Sequence, residues 1–160
     1  MRSLRILAIC CLITLMFSGC GSPGPSSLAE DEDITVAQDE VPFTILIPGH
    51  LPPGYIFSEV RVDPPPAVTA GPVRAVLMFT DDDDGYLEIT QSDYSLQLDD
   101  YTDVIDLSET TTAQLHVREL ADGRTWRELA FSSHEVGIIV SAADLSRAEL
   151  IKVAESLLKD

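Results

Sequence analysis

All ten prolines fall between Pro23 and Pro72, and none follows to the end of the 160-residue chain. Proline lacks the amide donor that a sheet ladder requires, so unbroken sheet has its room after Pro72, and any earlier strand must fit between breaks. The apolar pattern agrees. Residues 73–80 and 86–91 are β-rich runs on either side of Asp81-Asp82-Asp83-Asp84-Gly85, a hairpin signal in which glycine supplies a positive φ and aspartates favour the turn. Residues 113–120 and 125–131 repeat the theme around Ala121-Asp122-Gly123-Arg124. Residues 136–141 carry apolar side chains on both faces, the mark of a central strand. Upstream, residues 43–47 and 55–62 are strand candidates flanking Pro48-Gly49-His50-Leu51-Pro52-Pro53-Gly54, where five of seven residues are Pro or Gly and a loop is fixed. Between 92 and 108 the pattern is weakest. There Asp99, Asp100, Asp103 and Asp106 alternate with Tyr101, Val104, Ile105 and Leu107, as in a short helix or an acidic edge segment.

The chain closes on a helix signal. Ser146-Arg147-Ala148-Glu149 is a capping box, in which the serine accepts from the Glu149 amide and the glutamate reaches back to the Ser146 amide. Leu145 and Leu150 stand where a hydrophobic staple belongs, and Leu150, Ile151, Ala154, Leu157 and Leu158 share one face. The expected fold is α+β: a curved, mostly antiparallel sheet of about six or seven strands, with a C-terminal amphipathic helix packed on one face.

The N-terminus reads differently. Arg2 and Arg5 precede an apolar run from Ile6 to Phe17. As a helix that run rises about 18 Å, short of a ~30 Å hydrocarbon core, so residues 1–19 read as an export signal and not as a stable span. Phe17-Ser18-Gly19-Cys20 resembles the lipobox of bacterial lipoproteins, which implies acylation of Cys20 and cleavage before it. Cys10 and Cys11 would leave with the signal, so the folded part would hold no free thiol, disulfide or zinc–thiolate site. Residues 20–40 are rich in Gly, Ser and Pro and then acidic through Glu30-Asp31-Glu32-Asp33, and read as a flexible tether. Residues 41–160 would form a single extracytoplasmic domain, held by its lipid on the outer face of the bacterial cytoplasmic membrane. With 27 acidic residues against 10 Lys and Arg, the net charge is −17, which excludes nucleic acid as a partner and a basic membrane-docking patch.

Three segments carry a wider resemblance: Pro48-Gly49-His50-Leu51-Pro52-Pro53-Gly54-Tyr55; the hairpin into Leu87-Glu88-Ile89-Thr90-Gln91; and Val140-Ser141-Ala142 through Leu150, Ala154, Glu155, Ser156 and Leu157. Together they are similar to an uncharacterised extracytoplasmic domain family found in bacterial lipoproteins and at the outer end of anti-sigma-factor-like membrane proteins. The resemblance spans about 41–158 and implies an architecture related to periplasmic lipoprotein carriers, where a curved sheet wraps helical elements over an apolar cavity. It brings no catalytic residues with it.

Candidate chemistry is sparse. Asp81, Asp82, Asp83 and Asp84 offer oxygens to a hard cation such as Ca²⁺, but the EF-hand register fails, since Thr80 and Gln91 stand at the first and twelfth ligand positions. A solvated hairpin tip competes with that reading, and Asp99, Asp100 and Asp103 form a second acidic group. His50, His116 and His134 lack metal-ligand spacing, and His116 should face solvent beside Gln114 and Arg118. Trp126 reads as core or sheet-face packing, with a ligand platform as the competing role. No Gly-x-Ser-x-Gly elbow or phosphate loop occurs, and neither a cofactor nor a metal is expected. Leu51, Pro52, Pro53 and Tyr55, with the Pro64–Pro72 stretch that carries Val68, are the candidate partner-binding loops.

The expected function is a non-catalytic binding or sensory domain meeting an exported protein or the cell envelope. A carrier or chaperone for lipid or another apolar ligand is the alternative, and an envelope hydrolase the weaker one. A carrier needs an open apolar cavity between sheet and helix, whereas an interaction domain has a filled core.

Overall fold

The computed structural model describes residues 28–64 and 72–158. The signal, Cys20, the start of the tether and Val68 in the second proline stretch lie outside them. Seven strands form one sheet: β1 (Ile56–Asp63), β2 (Arg74–Thr80), β3 (Tyr86–Ser92), β4 (Asp103–Asp106), β5 (Thr112–Glu119), β6 (Thr125–Ser133) and β7 (Val136–Ala143). Their order is β1-β2-β3-β7-β6-β5-β4, and every neighbouring pair is antiparallel. Two meanders, β1 to β3 and β4 to β7, are thus joined through β7, which takes the central place its two-sided apolar pattern predicts. The α+β expectation holds, and the ambiguous stretch before 108 resolves into the acidic edge strand β4.

Among the described residues two helices cover one face of the sheet: α1 (Glu32–Glu40) against β1, and α2 (Arg147–Ser156) against β6 and β7. The core between them holds Leu77, Phe79, Leu87, Ile89, Leu129, Ile138 and Val140 from the sheet and Leu150, Val153 and Ala154 from α2, all fully buried. A helix as short as α2 is marginal alone in water, so this apolar face is what holds it. Ser146 caps it as expected, accepting from the Glu149 amide at 3.2 Å. The other half of the box does not form. The Glu149 carboxylate is taken by Lys152 Nζ at 2.6 Å and His50 Nε2 at 3.1 Å, and these two hydrogen bonds hold its carboxyl below the usual range.

The structure corrects two further expectations. Residues 32–40 are not tether but α1, capped by the Asp31 side chain on the Asp33 amide, with Ile34 and Ala37 buried in the core. Residues 43–47 form no strand. Their backbone is held by side-chain amides instead: Gln38 Nε2 donates to the Phe43 carbonyl at 2.7 Å, the Ile45 amide donates to Gln38 Oε1 at 2.8 Å, and Gln91 binds both the amide and the carbonyl of Leu46 at 2.8 Å. Pro42 and Pro48 bracket this segment, which is too short and too interrupted to extend a ladder.

The opposite face carries no helix among the described residues. The connection from β3 to β4 crosses it: a Cβ at Gly137 would overlap the Tyr94 carbonyl oxygen and the Leu96 amide, and the Leu98 amide donates to Gln114 Oε1 at 3.0 Å. On the same face Trp126 stacks on Tyr86 with centroids 6.0 Å apart, and the Arg118 guanidinium lies 5.8 Å over the indole. Trp126 thus packs on a sheet face as expected. His116 shares that face but is half-buried, and its Nδ1 is shielded from solvent without a hydrogen-bond partner among the described residues, which corrects the solvent-facing expectation.

Burial and a hydrogen bond to Glu88 push the Tyr86 phenol up to about 12, because both favour its neutral form. The folded value exceeds the unfolded one near 10, so this contribution to stability is complete below pH 10 and is lost as pH rises through about 12. Absorbance titration at 295 nm should therefore show one of the four tyrosines ionising near pH 12, and Glu88→Gln should bring that step back toward 10. Four steps all close to 10 would contradict the Tyr86–Glu88 contact.

Candidate functional site

The register gathers one set of turns at one end of the sheet, where Ile56, Thr80, Tyr86, Ala143, Trp126 and Arg118 lie in a single cross-strand row. Beyond that row lie the loop into β1, the β2–β3 hairpin tip, the β5–β6 turn and the exit of β7. Each turn is closed by its own chemistry. The Tyr55 amide donates to the Pro52 carbonyl at 3.1 Å, with Gly54 at φ 90°, so Pro53 and Gly54 occupy the positions a type II turn demands of them. In the hairpin tip Asp81 Oδ1 accepts from the Asp83 amide at 2.9 Å and the Gly85 amide at 2.6 Å. Asp84 takes the left-handed conformation at φ 60°, which aspartate tolerates better than most residues. Asp144, at φ 57°, accepts from the Thr125 amide through Oδ1 at 2.8 Å and so ties the end of β7 to the start of β6.

These turns enclose a cleft of about 500 Å³ lined by Tyr55, Asp81, Asp83, Asp84, Gly85, Arg124, Ala143, Asp144 and Leu145. Tyr55, Ala143 and Leu145 give it an apolar wall, and four carboxylates face them. The Tyr55 phenol is raised above 10.0, first by burial and then by the negative charges of Asp81 and Asp144. Arg124 is the one basic residue of the lining, and it is engaged by Asp122, its Nε donating to Oδ2 at 2.8 Å. That guanidinium and the Arg124 amide hold the Asp122 carboxyl below its ordinary range. The lining thus sets four carboxylates against one guanidinium, beside an apolar surface.

The sequence candidates divide here. Tyr55, Asp81, Asp83 and Asp84 converge, while Asp82 is exposed outside the lining. Of the loop residues, Pro52 is buried, Leu51 and Tyr55 pack against the core, and Pro53 is exposed, so the loop shapes the rim more than it projects. Asp81 spends one carboxylate oxygen on its own turn, and no group of three or more His, Cys, Asp or Glu side chains among the described residues is arranged to hold a metal ion. The second acidic group does not join the first: Asp103 lies on β4, four strands from β3, roughly 19 Å at the usual spacing. There Asp103 pairs with Arg147 of α2 at 2.7 Å. Sequence reasoning missed Asp144, Ala143 and Leu145, although an aspartate between the last strand and a helix cap is a fair sign of a left-handed turn.

An open antiparallel sheet with helices on one face and an acidic, partly apolar cleft at one end defines the class: an α+β domain with a surface site. The chain belongs to the family described as a protein of unknown function (DUF4245), whose model matches residues 1–157. No curated protein and no solved structure matches it.

Proposed function

We propose that the chain is a lipid-anchored, extracytoplasmic binding module without catalytic activity, whose cleft takes a positively charged group with an apolar neighbour from an exported protein or an envelope component. The observation that carries this reading is the convergence of the Tyr55 loop, the Asp81–Asp84 hairpin tip and Asp144 around one cleft, the turns that build it coming from four separate connections. A low-dielectric apolar wall beside several carboxylates focuses the field on a cation, and the net charge of −17 steers one toward it. The anchor rests on the likeness of Phe17-Ser18-Gly19-Cys20 to a lipobox. The filled interface between sheet and α2, where Leu150, Val153 and Ala154 are fully buried against the sheet, favours this module over a carrier with an open apolar cavity.

Calorimetric titration of the full chain with a pentalysine peptide in ~0.1 M salt tests the cleft. Asp83→Lys changes the charge inside it, and Asp106→Lys makes the same change on exposed β4, beyond a Debye length of about 10 Å. The cleft reading expects Asp83→Lys to weaken binding about tenfold and Asp106→Lys less than about twofold. Equal weakening by both, or no binding by the parent chain, contradicts it.

A further inference from the structure

We propose that two copies of this chain pair edge to edge through β1, forming a two-fold dimer with one continuous antiparallel sheet. Among the described residues the sheet is open, with β1 and β4 each pairing on one side only, the feature by which sheets recruit another strand. The two edges differ in what they can accept. Strand β4 is four residues long, carries Asp103 and Asp106, and has no basic residue to answer them. Strand β1 is twice as long and alternates: Phe57, Val60 and Val62 lie half-buried against the core, while Glu59 and Arg61 stand exposed on the other face.

Symmetry then selects the register. An antiparallel pair of identical strands has its two-fold axis perpendicular to the sheet, and side chains that meet across it must lie on the same face, so the axis passes midway between the two copies of one residue. Centred on Glu59, the pairing sets two glutamates against each other. Centred on Arg61, it sets two arginines together and Glu59 against Asp63. Centred on Val60, it places Glu59 opposite Arg61 of the second copy twice over, and Val60 against Val60 on the core face. A Val62 centre would likewise set Arg61 against Asp63 and Val62 against Val62, but it overlaps only residues 61–63 of the strand, whereas the Val60 centre joins opposite charges, covers half-buried apolar edge and overlaps residues 57–63. The irregularity between Phe57 and Glu59 lies just outside its centre, and Pro64 ends the strand on the other side. The contact is isologous and closes at two copies, leaving both β4 edges outside. The net charge of −17 opposes association, and physiological salt screens that repulsion over about 8 Å. This inference uses neither the cleft nor its ligand.

Sedimentation equilibrium of the full chain in density-matched detergent at 0.15 M salt, over a range of protein concentrations, tests it with four forms. The parent chain should show a concentration-dependent dimer. Glu59→Arg and Arg61→Glu should each weaken association about tenfold or more, because each turns two attractive pairs into two repulsive ones. The double variant Glu59→Arg/Arg61→Glu should restore it to within about threefold of the parent. Both residues are exposed, so the variants should keep the parent's circular dichroism spectrum. A parent chain that stays monomeric throughout, or a dimer that ignores the single reversals, overturns the proposal; so does a double variant no better than the singles.

Discussion

Replacing Gln91 by leucine should lower the unfolding free energy by about 2–5 kcal/mol, seen as a lower denaturant midpoint at unchanged slope. Gln91 lies fully buried on the core face of β3, in register with Ala75 and Ile138, where the alternation of Leu87 and Ile89 would put another apolar residue. Its amide works as a surrogate strand: the oxygen accepts from the Leu46 N–H and the nitrogen donates to the Leu46 carbonyl, both at 2.8 Å. A leucine keeps the volume but breaks both hydrogen bonds at once and leaves the Leu46 N–H and carbonyl unpaired, on a segment with no ladder of its own. Each buried polar group left unpaired costs about 1–3 kcal/mol. An unchanged midpoint would mean that residues 43–47 are held by Gln38 and by the burial of Ile45 without help from Gln91.

Replacing Gly137 by alanine is the second large effect, about 1–3 kcal/mol by the usual cost of forced packing. Here the obstacle is backbone: the added methyl would overlap the Tyr94 carbonyl oxygen and the Leu96 amide, neither of which can rotate away as a side chain would. The connection is pinned on both sides of that crossing, by the Arg74 Nη2 hydrogen bond to Tyr94 Oη at 3.1 Å and by the Leu98 amide on Gln114 at 3.0 Å. The strain should therefore loosen the whole 93–98 crossing, and amide hydrogen exchange should quicken there before it does in β3 or β7. Parent-like stability and exchange would show that the connection does not press on β7.

How far the fold was legible in the sequence follows from where its information is local. Strands β2, β3, β5, β6 and β7 were readable because apolar alternation and Gly- or Asp-rich turns both lie within a few residues of each other. The cap of α2 was readable through Ser146 for the same reason. Its second arm was not, because Glu149 is claimed by Lys152 on the next turn and by His50 from a loop 99 residues away in sequence. Helix α1 was hidden by the acidic block at 30–33, although Asp31 is a proper cap and Ile34 and Ala37 sit at helical spacing. The segment 43–47 looked like a strand in composition, and what it lacks is a partner, supplied by Gln91 45 residues later. The cleft shows the same division. Tyr55 and the Asp81–Asp84 turn were conspicuous by themselves, whereas Asp144 and Leu145 join them only through the pairing of β7 with β3 and β6.

The central proposal is that this domain works outside the cytoplasm on a lipid leash attached at Cys20. Intact-mass analysis of the protein extracted from its native membrane tests that most directly. The account predicts a chain lacking residues 1–19 with its new N-terminal cysteine carrying fatty acyl mass; a retained leader or an unmodified thiol would contradict it.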